Sequence, residues 1–87
     1  MDIPWEIIGK LKASSYRREI LGLLLDAEMT PKEIAKKLNF KFSHVSRSLR
    51  ELMDMGLVEC LTPDLHIGKI YRATEKGKKA YGSISKK

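Results

Sequence analysis

Several things are scarce in this chain of 87 residues, and each scarcity narrows what it can be. There is one cysteine, Cys60, so an internal disulfide is impossible, in keeping with a reducing compartment. No apolar run approaches the ~20 residues of a membrane-spanning helix, and no basic-then-apolar segment opens the chain. A soluble, cytoplasmic protein with no membrane partner is therefore expected. His44, His66 and Cys60 are scattered without ligand-type spacing, so no metal site and no cofactor are expected. Catalysis lacks its usual groundwork: no Ser/His/Asp or Cys/His order, no glycine-rich phosphate loop, no carboxylate pair in an apolar setting. The chain does not read as an enzyme. Repeats and low-complexity tracts are absent too, and the length suits one domain over 1–87.

Positive charge is what the chain has in excess, a net +6, and it is unevenly placed. Residues 1–29 carry −1 and residues 57–68 carry −2, whereas residues 30–56 carry +3 and residues 69–87 carry +6, ending in Lys86 and Lys87. Such a patch suits a polyanion, because each phosphate neutralised releases condensed counterions.

The most organised stretch is Thr30 to Val58. Thr30 and Glu33 stand three apart as a capping box, with Pro31 at the first helical position. Ile34, Ala35 and Leu38 form one apolar stripe over Pro31 to Leu38, with Lys32, Lys36 and Lys37 facing away. Asn39 suits a left-handed helix end, after which Phe40 drops back onto the core. A second helix is predicted from about Phe42 to Met55, with Val45, Leu49, Leu52 and Met53 facing inward. Gly56 ends it.

These residues resemble the helix-turn-helix of winged-helix DNA-binding regulators, in particular small ArsR-like and MarR-like proteins of bacteria and archaea. The resemblance rests on Glu33-Ile34-Ala35 and Leu38, then on Val45-Ser46-Arg47, Leu49, Leu52 and Met55-Gly56-Leu57-Val58. Downstream, Gly68-Lys69-Ile70-Tyr71-Arg72-Ala73-Thr74-Glu75-Lys76-Gly77 is similar to a returning wing strand and the start of the next helix. About half the chain is covered. The fold expected is α+β and mostly helical: a helix-turn-helix at about 30–56, a two-stranded β wing at about 57–73, and a C-terminal helix.

The resemblance makes the Phe42 helix the recognition helix, whose N-terminal residues read base edges while its flanks touch backbone. Ser43, His44 and Arg47 are assigned to the DNA groove, Ser46 and Arg50 to phosphates, and Lys41 to the backbone at the helix entrance. Lys41 departs from the family's small capping residue. Phe42 is also unexpected and has two readings, packing inward or touching a thymine methyl. Val58–Thr62 and Lys69–Ala73 are the predicted wing strands, with Tyr71 and Ala73 inward and Lys69 and Arg72 as wing contacts. The loop between them holds Asp64, Leu65 and Ile67 and is not strongly basic, so a protein contact is an alternative there. Cys60 reads as a small apolar strand residue or, alternatively, a thiol switch. Metal-sensing relatives use paired cysteines or clustered His and acidic ligands, and this chain has no such set.

Elsewhere, Pro4 starts a helix to about Lys12 with Ile7, Ile8 and Leu11 as its apolar face. Ser14–Ser15 break the chain before a helix from about Tyr16 to Asp26, with Ile20, Leu21, Leu24 and Leu25 inward and Arg17 and Arg18 solvated or reaching a phosphate. Thr74 caps a last helix, Glu75 to about Ile84. Since similar regulators often dimerise through terminal helices, Ile3, Trp5, Ile8, Tyr81 and Ile84 are the candidate homodimer residues; ordinary core packing is the other reading. The expected activity is sequence-specific binding of double-stranded DNA by a homodimer that represses transcription. With no separate ligand domain and no effector indicated, occupation of a promoter is the simplest mechanism. The alternatives are a winged-helix protein-interaction module and a general nucleoid or RNA binder.

Overall fold

The structure, a computed structural model, describes residues 3–85, so Lys86 and Lys87 of the basic tail lie outside the described residues. Five helices and two short strands follow one another: α1 (Trp5–Ala13), α2 (Ser15–Asp26), α3 (Pro31–Leu38), α4 (Phe42–Asp54), β1 (Val58–Cys60), β2 (Tyr71–Ala73) and α5 (Glu75–Ser85). This is the expected α+β winged helix, with helices dominant.

The core is built by the predicted stripes. Leu11 of α1, Ile20, Leu21 and Leu24 of α2, Ile34 of α3, and Val45, Leu49 and Leu52 of α4 are all buried in one cluster. Leu57, Val58, Ala73 and Ala80 close it from the strands and α5. Truncating one of the fully buried leucines would cost ~2–5 kcal/mol.

Local signals explain most boundaries. Pro4 stands just before α1, and its carbonyl accepts from the amides of Ile7 and Ile8 at 3.0 and 3.2 Å. The Ser14 hydroxyl caps α2 by accepting from the Arg17 amide at 3.3 Å. The Thr30–Glu33 capping box forms in both directions, the Thr30 amide donating to Glu33 at 2.9 Å and the Glu33 amide to Thr30 at 3.2 Å. Asn39 takes the left-handed conformation (φ 58°, ψ 42°) that ends α3. Met55 is the C-cap of α4, and the chain then turns through Gly56, whose φ of 78° glycine adopts without strain.

Three expectations are corrected. Met53 is 41% exposed, and Met55, two residues on, takes the buried place at the end of α4. The wing strands are three residues each rather than five. The Leu61 amide still donates to the Ile70 carbonyl at 2.7 Å, but the Ile70 amide donates to the Thr62 hydroxyl at 3.0 Å, which ends the ladder. Pro63 then has no amide to offer. Finally, Arg17 and Arg18 are not simply solvated: both reach back to α1, whose last carbonyls have no intrahelical donor.

The sheet is antiparallel, pairing Val58 with Ala73, Glu59 with Arg72 and Cys60 with Tyr71. On its other edge β2 meets Met29, which exchanges two backbone hydrogen bonds with Tyr71 at 2.8 and 3.1 Å. That bridge ties the wing to the loop entering α3. Helix α5 is anchored rather than frayed. Thr74 caps it, and the buried Gly77 lets its backbone lie against Leu57, where an added Cβ would stand 2.0 Å from the carbonyl oxygen.

Candidate nucleic-acid interface

Helix α4 is seated by α3 and α2 before any of its outward side chains matters. The tight turn at Asn39 brings Phe40 back over the Tyr16 ring, edge to face with centroids 4.7 Å apart. His44 lies against the same Tyr16 ring at 4.8 Å. The three rings fix the N-terminal turn of α4 to α2. His44 is therefore half-buried beside the helix, turned partly away from the outward face to which the sequence assigns it.

The rest of that face is open. Val45, Ser48, Leu49 and Leu52 point inward, which leaves Ser43, Ser46, Arg47 and Arg50 exposed together along the opposite side. Lys41 stands exposed as the N-cap and its side chain caps nothing. Phe42 does not pack inward; it is 57% exposed at the first position of α4.

A groove of about 520 Å³ runs between this helix and the wing loop. Phe42, Ser46 and Arg50 form one wall together with Thr30, the N-cap of α3, and Pro31 and Lys32 of its first turn. His66, Ile67, Gly68 and Lys69 form the other, above Tyr71. No acidic residue lines it, although the chain contains 11. Lys32, Arg50 and Lys69 take no part in an ion pair among the described residues. Another depression, of about 410 Å³, is walled by Glu28 and Glu33 beside Lys36 and Lys37 and has no single sign of charge.

Arg72 has a different setting. It pairs with Glu59 directly across the strands at 2.6 Å, and that hydrogen bond and charge hold its guanidinium pKa up. Tyr71 faces the groove. Burial pushes its phenol above the ordinary 10.0, the facing Cys60 adds to the rise, and nearby Arg50 pulls it down. Cys60 is half-buried. Among the described residues no group of three or more His, Cys, Asp or Glu is placed to hold a metal ion, and no helix is long and apolar enough to cross a membrane.

Of the residues assigned to DNA, the fold brings Phe42, Ser46, Arg50 and Lys69 around one groove and leaves Lys41, Ser43 and Arg47 exposed on α4. His44 and Arg72 are engaged with neighbours. Thr30, Lys32, His66 and Ile67 join the groove without having been singled out for it. Lys32 follows a helix-initiating proline, the one sequence cue that could have placed it at the mouth of α3. The candidate dimer residues divide similarly: Ile3, Ile8, Tyr81 and Ile84 pack partly on the protein's own core, while Trp5 is 80% exposed.

A helix-turn-helix followed by a β wing, with an open basic groove between them, defines the winged-helix class. Residues 14–59 match the model of the arsR family of bacterial regulatory proteins, and the chain belongs to that family. A comparison with curated protein sequences gives no match. Among solved structures, a mutant of Lactococcus lactis ZitR is 26% identical with a TM-score of 0.72, covering 83% of this chain and 50% of its own. The homodimeric winged helix-turn-helix DNA-binding domain of a possible ArsR-family transcriptional regulator from Mycobacterium bovis is 27% identical, TM-score 0.73, covering 88% of this chain and 70% of its own. The multiple antibiotic resistance repressor MarR is 25% identical, TM-score 0.72, covering 90% and 58%. The chain thus spans half the length of ZitR and little more than half that of MarR.

Proposed function

We propose that this chain binds double-stranded DNA as a homodimer and represses transcription by occupying its site. The observation that carries the reading is the acid-free groove between α4 and the wing, continuous with the exposed Ser43, Arg47 and Arg50 face. A duplex seated there sets α4 into the major groove, with Arg47 positioned to bridge two acceptors on guanine and Ser43 beside it. Arg50, Lys32 and Lys69 then flank the phosphate strand running between helix and wing. Family membership supports this reading. The relatives named above support its finer parts, one described as a homodimeric DNA-binding domain and one as a repressor.

Fluorescence anisotropy against random-sequence duplex DNA over a salt series tests it, for wild type and Arg47→Ala. Affinity should fall steeply with salt, and Arg47→Ala should weaken binding by about tenfold or more. A steep salt response with no effect of the substitution would move the surface off α4. No binding at low salt would sink the proposal. A second reading has its own observation: Leu65 and Ile67 at the wing tip are 47% and 89% exposed, which fits a protein contact. Flat salt dependence and no duplex affinity would favour it.

A further inference from the structure

Arg17 makes two connections that the DNA-binding reading does not use. Its Nε donates to Glu51 Oε1 on α4 at 2.9 Å, and its terminal nitrogen donates to the Lys10 carbonyl in the last turn of α1 at 2.6 Å. The neighbouring Arg18 donates to the Lys12 carbonyl, also in that last turn. One guanidinium at the start of α2 therefore holds the end of α1 and the third turn of α4 together. The pair is partly sheltered, with 21% of the Arg17 and 39% of the Glu51 side chain exposed. Glu51 lies one residue beyond Arg50, and seven and eight beyond His44 and Ser43, on the helix that carries the exposed DNA face.

We infer that Arg17 is a positioning residue for DNA binding, a clamp that sets α4 against α1 without touching DNA itself. The inference rests on the reading of α4 as the recognition helix. The two acceptors are served by two different nitrogens of one rigid, planar fork, a geometry that a point-charge ammonium on a flexible stem does not reproduce. A carboxylate on a DNA-binding helix opposes phosphate by charge alone, so Glu51 contributes through orientation.

Those properties give the test an unambiguous sign. Anisotropy with the random-sequence duplex is measured for wild type, Arg17→Met, Arg17→Lys, Glu51→Ala and the Arg17→Met/Glu51→Ala double variant, at a temperature where far-UV circular dichroism shows each folded. Both single removals should weaken binding, by ~3–10-fold, although one removes a positive and the other a negative charge. The double variant should be no weaker than the poorer single one. The salt slope should stay at the wild-type value, and Arg17→Lys should recover little. Should Arg17→Met fail to fold, Glu51→Ala and Arg17→Lys carry the test. Tighter binding by Glu51→Ala would overturn the inference, since the carboxylate would then act by charge alone. So would full recovery with Arg17→Lys together with a shallower salt slope for Arg17→Met, which would make Arg17 a phosphate contact. Additive losses would also overturn it. Absence of wild-type binding is a separate failure: it removes the DNA reading itself and this inference with it.

Discussion

Thr74 and Gly77 do more for the fold than their size suggests. The Thr74 hydroxyl donates to the Gly56 carbonyl at 2.7 Å and accepts from the Gly77 amide at 3.0 Å, while its own amide donates to Leu57 at 3.0 Å. It caps α5 and ties that helix to the turn leaving α4. Thr74→Val keeps the shape and loses both hydroxyl bonds, a cost of ~1–2 kcal/mol, or ~5–15 °C in Tm. Gly77→Ala should be worse. Its Cβ would lie 2.0 Å from backbone that cannot swing aside, so a loss of at least ~3 kcal/mol is expected. Thermal melts rank the two, and a Gly77→Ala protein melting within a few degrees of wild type would refute the close approach. Tyr71 contributes to the alkaline behaviour. Its phenol holds its proton more tightly folded than unfolded, so its contribution to stability is complete below the ordinary 10.0. It is lost as pH climbs through the raised value, because the unfolded chain ionises first. Tyr71→Phe should flatten the fall of denaturant midpoint above about pH 10; an unchanged alkaline limb would remove Tyr71 as its cause.

Within each element the outcome followed how local the governing physics is. The stripes Ile20–Leu21–Leu24 and Val45–Leu49–Leu52 are set by helical periodicity, and the cap at Thr30 by residues three apart, so all were legible in the sequence. Met53 was misplaced because the final turn of α4 is ending, and the chain about to turn at Gly56 buries Met55 instead. The wing strands were overextended because alternation says nothing about Thr62 accepting the Ile70 amide. The outward face of α4 was readable as the complement of its core face, but the groove was not. It is a property of three segments far apart in the chain, the start of α3, α4 and the wing loop, and a single Met29–Tyr71 bridge has no period to betray it. The same distinction separates the two wing cations. Lys69 lines the groove with no carboxylate partner among the described residues, whereas Arg72 is engaged by Glu59. Lys69→Ala should therefore weaken duplex binding and reduce the magnitude of the salt slope by about one phosphate's worth, and Arg72→Ala should change it little. Equal effects from both would mean that the Arg72–Glu59 pair opens on DNA.

For the molecule as a whole, the matter left open by its own packing is Trp5. It is the chain's single tryptophan, it sits on the first turn of α1, and it is 80% exposed although α1 is otherwise turned onto α2 and α5. Burying such a side chain against a second copy recovers apolar area at ~25 cal/mol per Å², a strong inducement for a chain this small. Association through α1 would put the subunit contact of the proposed homodimer at this side chain. It also gives a direct optical signal, because the only indole passes from water into an interface. Tryptophan emission should shift to shorter wavelength as protein concentration rises, in step with the dimer fraction seen by sedimentation. Trp5→Ser should remain monomeric over that range and bind a two-half-site duplex at least tenfold more weakly, with its circular dichroism unchanged. Emission that stays at the wavelength of exposed indole while the protein sediments as a dimer would place the subunit contact away from Trp5.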